Sequence, residues 1–169
     1  AGGSAALTVA VNVPTGRPAG TTDTINVTAV SVPNPTVVDS AQDDITVALV
    51  PSVSLSPDRT AGGLPNATVV YEHTLTNNGN GSDTFQLSAG SSQGWSVSLN
   101  PYAATLAAGS SATVRVYVTV PSGAVAGTVD TTTVTATSLG DGAVSASVNN
   151  TTTAQAWPYT ICLPLVTRQ

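Results

Sequence analysis

The stretch from Ala1 to Ser31, AGGSAALTVAVNVPTGRPAGTTDTINVTAVS, returns from Ala108 to Ser138 as AGSSATVRVYVTVPSGAVAGTVDTTTVTATS. Pro14 aligns with Pro121, Gly20 with Gly127, Asp23 with Asp130 and Ser31 with Ser138, at a constant offset of 107 residues and without a gap. That spacing is about the length of one two-sheet β module, and so many identities mark an internal duplication. The first copy starts past the middle of the second. Three segments are therefore predicted: residues 1–46 as the C-terminal half of a repeat, residues 47–155 as one complete repeat, and residues 156–169 as a tail.

Both copies alternate apolar and polar residues. Val9, Val11 and Val13 alternate with Thr8, Ala10 and Asn12, the period-two pattern of a half-buried strand. Val114, Val116, Val118 and Val120 repeat it. Ile25, Val27 and Ala29 alternate with Thr24, Asn26 and Thr28, as do Val134 and Ala136 with their threonines. Further strands are predicted at Val47–Leu55, Ala67–Thr76, Asp83–Ala89, Gly94–Leu99, Ala103–Leu106 and Ala143–Ala154. Pro14 and Pro121 end their strands because proline cannot donate to a ladder. Asn77-Asn78-Gly79-Asn80-Gly81 has the composition of a turn that tolerates positive φ. No stretch carries helical periodicity, and the fold class is all-β.

Composition supports folding and narrows function. Hydrophobic residues make up 41% of the 169, enough for a core, while aromatics at 4% leave Val, Ala, Leu and Thr to build it. Disordered chains combine low hydrophobicity with high net charge, and this chain does neither. Charged residues are 8%, against about 25% in an average domain. The formal charge is −5, lysine is absent, and Arg17, Arg59, Arg115 and Arg168 form no cluster. Nucleic acid is therefore excluded as an expected partner, since binding it requires phosphate neutralisation. The lack of lysine also rules out Lys–Asn isopeptide staples. One cysteine, Cys162, permits no disulfide within the chain, and with His73 as the sole histidine a zinc site is not expected. No apolar run approaches the ~20 residues of a membrane span. No cofactor is expected.

The residues YEHTLTNNGNGSDTFQLSAGSSQGWSVSLNP from Tyr71, followed by LAAGSSATVRVYVTVPSGAVAGTVDTTTVTATS from Leu106, resemble the immunoglobulin-like repeat found beside bacterial α-galactosidase domains and in many bacterial and archaeal surface proteins. The resemblance covers about residues 50–138 and, through the duplication, residues 1–31. Its marks are the Asn-Asn-Gly turn, the Gly94-Trp95 pair, the Ala-Gly-Ser before a Val-rich strand and the Pro-Ser-Gly link. It implies immunoglobulin-like β-sandwich repeats that serve as spacers, stalks or assembly units, and it brings no catalytic residues. The ending WPYTICLPLVTRQ resembles a short C-terminal signature of some secreted bacterial proteins.

The tail reads as one more strand, with Trp157, Tyr159, Ile161, Leu163 and Leu165 on one face. Each would gain about 1.5–3 kcal/mol if fully buried. Pro158 and Pro164 share the other phase, so the edge carrying the odd-numbered N–H groups is the one that can pair. The front half-repeat has the matching deficit, a Val/Ile face formed by Val9, Val11, Val13, Ile25 and Val27 with no opposite sheet. Together these predict an extracellular, cell-surface structural subunit whose partners are copies of itself, joined head to tail by strand complementation into a filament. A second reading makes the chain a piece of a longer repeat protein, a spacer or carbohydrate-binding module of a secreted hydrolase, with its tail folded back on its own sandwich.

Candidate sites are few. Glycan acceptor sequons lie at Asn26, Asn66, Asn80, Asn149 and Asn150. Asp39, Asp43 and Asp44 form the densest acidic cluster and are the calcium candidates, set against a solvated turn before a strand. Asp23 and Asp130, at equivalent repeat positions, read as turn hydrogen-bond acceptors. His73 falls in phase with Val69, Tyr71 and Leu75 and reads as structural, and Trp95 as a core plug. Cys162 reads as a small buried thiol or an intermolecular crosslink. No constellation supports an enzyme.

Overall fold

A computed structural model describes residues 2–158. Its strands run β1 Thr22–Val30, β2 Val38–Thr46, β3 Val53–Ser56, β4 Arg59–Gly63, β5 Thr68–Asn77, β6 Asp83–Ser91, β7 Ser96–Asn100, β8 Ala103–Leu106, β9 Ser111–Thr119, β10 Val129–Ser138 and β11 Ser145–Ala154. Strands β3 to β11 form an immunoglobulin-like sandwich. A five-stranded sheet in the order β4-β11-β10-β6-β8 faces a four-stranded sheet in the order β3-β5-β9-β7. Strands β1 and β2 form a separate antiparallel ribbon ahead of it.

Alternation builds the core. On β9, Val114, Val116 and Val118 point inward and are fully buried, while Thr113, Arg115 and Tyr117 point the other way. Phe85 and Leu87 on β6, Val134 and Ala136 on β10, and Leu99 on β7 meet them, with Trp95 filling one end as a core plug. The outer faces owe little to charge. Thr84 pairs with Thr105, Thr135 with Ser147 and Thr76 with Ser111, each hydroxyl pair 2.8 Å apart across neighbouring strands. Such cross-strand pairs contribute about 0.2–1 kcal/mol each. They give this charge-poor chain a polar surface. The Arg115–Glu72 ion pair, 2.7 Å across β9 and β5, is exposed on both sides and adds little.

The structure corrects the sequence expectations at four places. The strand predicted over Val47–Leu55 shortens to β3, because Ala48–Ser52 serve as the connection that holds the ribbon to the sandwich. Strand β4, RTAGG, was absent from the expectation; glycines and an arginine carry no alternation, and it pairs parallel to β11 at the sheet edge. The segment Val9–Val13 is not in a strand. Its duplicate, β9, lies between β5 and β7, and residues 2–14 have no such neighbours to complete a ladder. The Asn77–Gly81 turn uses no positive φ. It is held instead by the Asn77 side chain, whose Oδ1 accepts from the Gly79 amide at 2.8 Å and whose Nδ2 donates to the Gly81 and Leu106 carbonyls.

Truncating the two regions should separate them. Phe85→Ala should destabilise the sandwich by about 3–5 kcal/mol, whereas Val9→Ala should change stability by no more than about 0.5 kcal/mol, both read from urea midpoints.

Candidate functional site

The ribbon reproduces the backbone pairing of the hairpin that closes the sandwich. Strand β1 pairs with β2 as Thr22↔Thr46, Asp23↔Ile45 and Thr28↔Ser40, and β10 pairs with β11 as Val129↔Thr153, Asp130↔Thr152 and Thr135↔Ser147, the same register at the repeat offset. The turns match too. Ser31 N–H donates to the Val37 carbonyl as Ser138 does to Val144, and Val37 to Asn34 as Val144 to Asp141, all at 2.9–3.0 Å. At the entry, Gly20 and Gly127 both adopt positive φ, 79° and 87°, and donate to Val47 and Ala154.

The surroundings differ. In the sandwich, Val118, Val120, Asp130, Thr152 and Ala154 are all buried. Their duplicates Val11, Val13, Asp23, Ile45 and Val47 line an open groove of about 290 Å³, together with Arg17. Val9, Val11 and Val13 are 42%, 42% and 44% exposed. Ile25 and Val27 are half-buried and share the Asp23–Ile45 face through the strand register. Of the front residues named as an interface, Val11 and Val13 line this groove, and Val9, Ile25 and Val27 do not. Of the other side, Trp157 is 50% exposed; Tyr159, Ile161, Leu163 and Leu165 lie outside the described residues, as does Cys162.

Asp130 shows what the open face lacks. Its Oδ1 accepts from Ser91 Oγ at 2.6 Å, Ser92 Oγ at 3.2 Å and the Gln93 amide at 2.9 Å, and its Oδ2 from Thr132 Oγ1 at 2.7 Å. Burial opposes its charge, but the hydrogen bonds from Ser91, Thr132, Gln93 and Ser92 outweigh it and hold the carboxyl below its ordinary value of 3.8. The turn hydrogen bonds of Asp130 come from a segment distant in sequence: Ser91 ends β6, and Ser92 and Gln93 form the β6–β7 connection. Asp23 accepts only from the neighbouring Thr24 amide among the described residues and stays exposed.

A joint fixes the ribbon to the sandwich. Asn80 donates from Nδ2 to the carbonyls of Arg17 at 3.2 Å and Ala48 at 3.0 Å, and its Oδ1 accepts from the Val50 amide at 2.8 Å. Its own carbonyl accepts from the Ala19 amide at 2.9 Å. Gly81 is required beside it, since a Cβ there would lie 2.8 Å from the Ala19 Cβ and 2.9 Å from Leu49 Cδ1. The sequence marked Asn80 only as a sequon and a turn residue.

The remaining candidates fall elsewhere. Asp39, Asp43 and Asp44 lie within β2, not in a turn, and Asp43 and Asp44 point to opposite faces. They do not converge on an ion, and no metal-holding cluster forms among the described residues. Asp44 is instead held below its ordinary value by hydrogen bonds from Thr24 and Gln42. Asn26, Asn66 and Asn149 are exposed, Asn80 is committed to the joint, and Asn150 is fully buried, which closes it to a glycan in the folded chain. His73 is buried, donating from Nδ1 to the Pro57 carbonyl at 2.7 Å.

Residues 53–154 match the family described as the VWA7 Ig-like domain. The chain belongs to that family. The match supports an Ig-like fold and not the α-galactosidase-associated type in particular. No curated protein matches the chain. Among solved structures it is similar to the secreted serine protease VesC from Vibrio cholerae, at 16% identity and a TM-score of 0.46, over 61% of this chain and 23% of that one. It is also similar to PapD-like domain 7 of human CEP192, at 14% identity and a TM-score of 0.45, over 63% and 87%. A third is the CsuC–CsuE chaperone–tip adhesion subunit pre-assembly complex of Acinetobacter baumannii, at 13% identity and a TM-score of 0.44, over 62% and 52%. The chain spans less than a quarter of the length of VesC. Likenesses this distant carry no functional argument. No helix is long and apolar enough to cross a membrane among the described residues.

Asp130→Ala should cost about 2–4 kcal/mol in urea denaturation. Because the native carboxyl titrates below the unfolded one, its stabilising effect is complete above about pH 4 and lost as pH falls through the lower native value. The variant should therefore lose less stability on acidification than the parent. At the joint, Asn80→Ala should speed hydrogen exchange at the Ala19 and Val50 amides at least tenfold while leaving β9 and β10 protected.

Proposed function

We propose that the chain is a non-enzymatic structural subunit of an extracellular filament or other surface assembly, built head to tail by inter-subunit strand complementation. The observation that carries this reading is the pair of hairpins with one register and unlike surroundings. The inner face of β10–β11 is buried under an opposing sheet, and the same face of β1–β2 stays open with Val11, Val13, Ile45 and Val47 around a groove. A two-stranded sheet of this kind is marginal in water. The tail supplies a complementary element, five bulky residues in one phase from Trp157 to Leu165. A contact between unlike surfaces that does not close on itself produces an open chain of subunits. One strand cannot replace a whole sheet, so a neighbour contributes more than its tail. The likeness of residues 50–138 to α-galactosidase-associated surface repeats belongs to the same proposal, as does location outside the cell.

Deleting Ala156–Gln169 tests it. The parent chain should form large species in light scattering and filaments in micrographs, and the truncated chain should remain monomeric with an intact sandwich. Filaments of normal length from the truncated chain would remove the donor role.

A further inference from the structure

Two strand positions flank a hairpin of this type, and the sandwich shows both occupied. On the β10 side, β6 lies antiparallel with Asp83, Phe85 and Leu87 turned inward. Its even-numbered N–H groups face the hairpin, as the Ser92 amide bonded to the Thr131 carbonyl demonstrates. On the β11 side, β4 lies parallel, with Ala61 and Gly63 turned inward. Here the odd-numbered groups face the hairpin, since the Gly63 carbonyl accepts from Gln155. In the ribbon both positions are empty among the described residues.

The tail fits only one of them. Tyr159, Ile161, Leu163 and Leu165 require odd side chains inward, and Pro158 and Pro164 strip donors from the even edge. In the β6-type position those prolines would face β1. In the β4-type position they face away, and every odd N–H faces β2. The free edge of β2 is complementary. Val47 spends its N–H and carbonyl on Thr21 and Gly20, toward β1, so Ser40, Gln42, Asp44 and Thr46 present theirs outward.

We propose that the acceptor for the tail of a second copy is the free edge of β2, with the donor strand lying parallel to it in the position β4 takes beside β11. This rests on the strand-complementation reading and specifies its geometry. The outward prolines then end the sheet, because they leave the new edge short of donors.

Cys162, the single cysteine, is the reporter. It is even-numbered and shares the outer face with Ser40, Gln42 and Asp44 of β2. Adjacent strands lie about 4.8 Å apart, within the Cα separation a disulfide spans. Gln42→Cys and Ser40→Cys, two exposed positions that cover a two-residue shift of register, should each be oxidised in the full chain and run on a non-reducing gel. A disulfide-linked ladder of two or more chains from either, and none from Thr28→Cys on the outer face of β1, is the expected result. A ladder from Thr28→Cys places the donor beside β1 and overturns the proposal. So does a disulfide closed within one chain, or no crosslink at any position with the sandwich folded by circular dichroism. Polymers that depend on residues 156–169 but crosslink through β1 would leave strand complementation standing and remove only the β2 geometry.

Discussion

A β-hairpin cannot bury its own inner face, and the architecture of this chain follows from that constraint. In the sandwich the face of β10–β11 is covered by the facing sheet β3-β5-β9-β7, whose Leu55, Tyr71, Leu75, Val116 and Leu99 share one buried core with Val134, Ala136 and Val148. Residues 2–158 contain that hairpin twice and its cover once. Of the duplicates of the three covered residues, Val27 is only half-buried and Ala29 and Ala41 are exposed. The backbone pairing within each hairpin is the same, so the difference in burial comes from what packs against each one. Most of the favourable energy in such folds comes from that apolar burial, about 25 cal/mol per Å², and the ribbon does without it.

This separation explains which features the sequence made legible. The duplication at 107 residues located both hairpins, and their shared register and turn bonds follow from the shared residues. Alternation located β5, β6 and β11 to within two residues, and the patterns at Val114–Val118 and Val134–Ala136 fall inside β9 and β10. It failed at Val9–Val13 for an instructive reason. The pattern reports that a segment can be a strand with one buried face, whereas a ladder also requires neighbours, and β9 has β5 and β7 where Val9–Val13 has neither. It failed at β4 because Arg-Thr-Ala-Gly-Gly pairs only through its backbone at an edge. The candidate face was half legible. The apolar positions were visible, but the importance of Asp23 emerges only from the buried corner in which Ser91, Ser92 and Gln93 surround Asp130. Those donors lie 37 to 39 residues from it in sequence, and no spacing motif connects them.

The joint has a similar character. An Asn-Asn-Gly-Asn-Gly run reads as a flexible turn, yet Asn77 and Asn80 use their side chains as fixed crosspieces, one inside the sandwich and one reaching to the ribbon. Asparagine suits this because a single side chain donates and accepts at once. The ribbon is therefore held in place by polar contacts at one end while its apolar face stays open. That arrangement presents an edge and a groove without burying them.

The two hairpins are also unlike in ways that matter for what can cover them. Thr132 and Thr152 are replaced at the front by Ile25 and Ile45, and Asn150 by Asp43. In the sandwich the Tyr71 hydroxyl bonds to Thr152 Oγ1 at 2.8 Å; Ile45 offers it no such partner. Asn150 is buried, and a carboxylate in that place would carry a desolvation cost of several kcal/mol unless a donor met it. Moving the strands β3 to β8 of one copy onto the front hairpin of another would thus take from Tyr71 one of its two partners, the other being a backbone carbonyl, and bury a charge without a mate. Exchange of whole half-modules is disfavoured in this way, although the backbones would superpose. A donor strand at the edge of β2 makes no demand on Tyr71. It needs only apolar side chains in one phase and N–H groups along one edge. Among the segments of this sequence with no established place in the sandwich, the one after Gln155 has both.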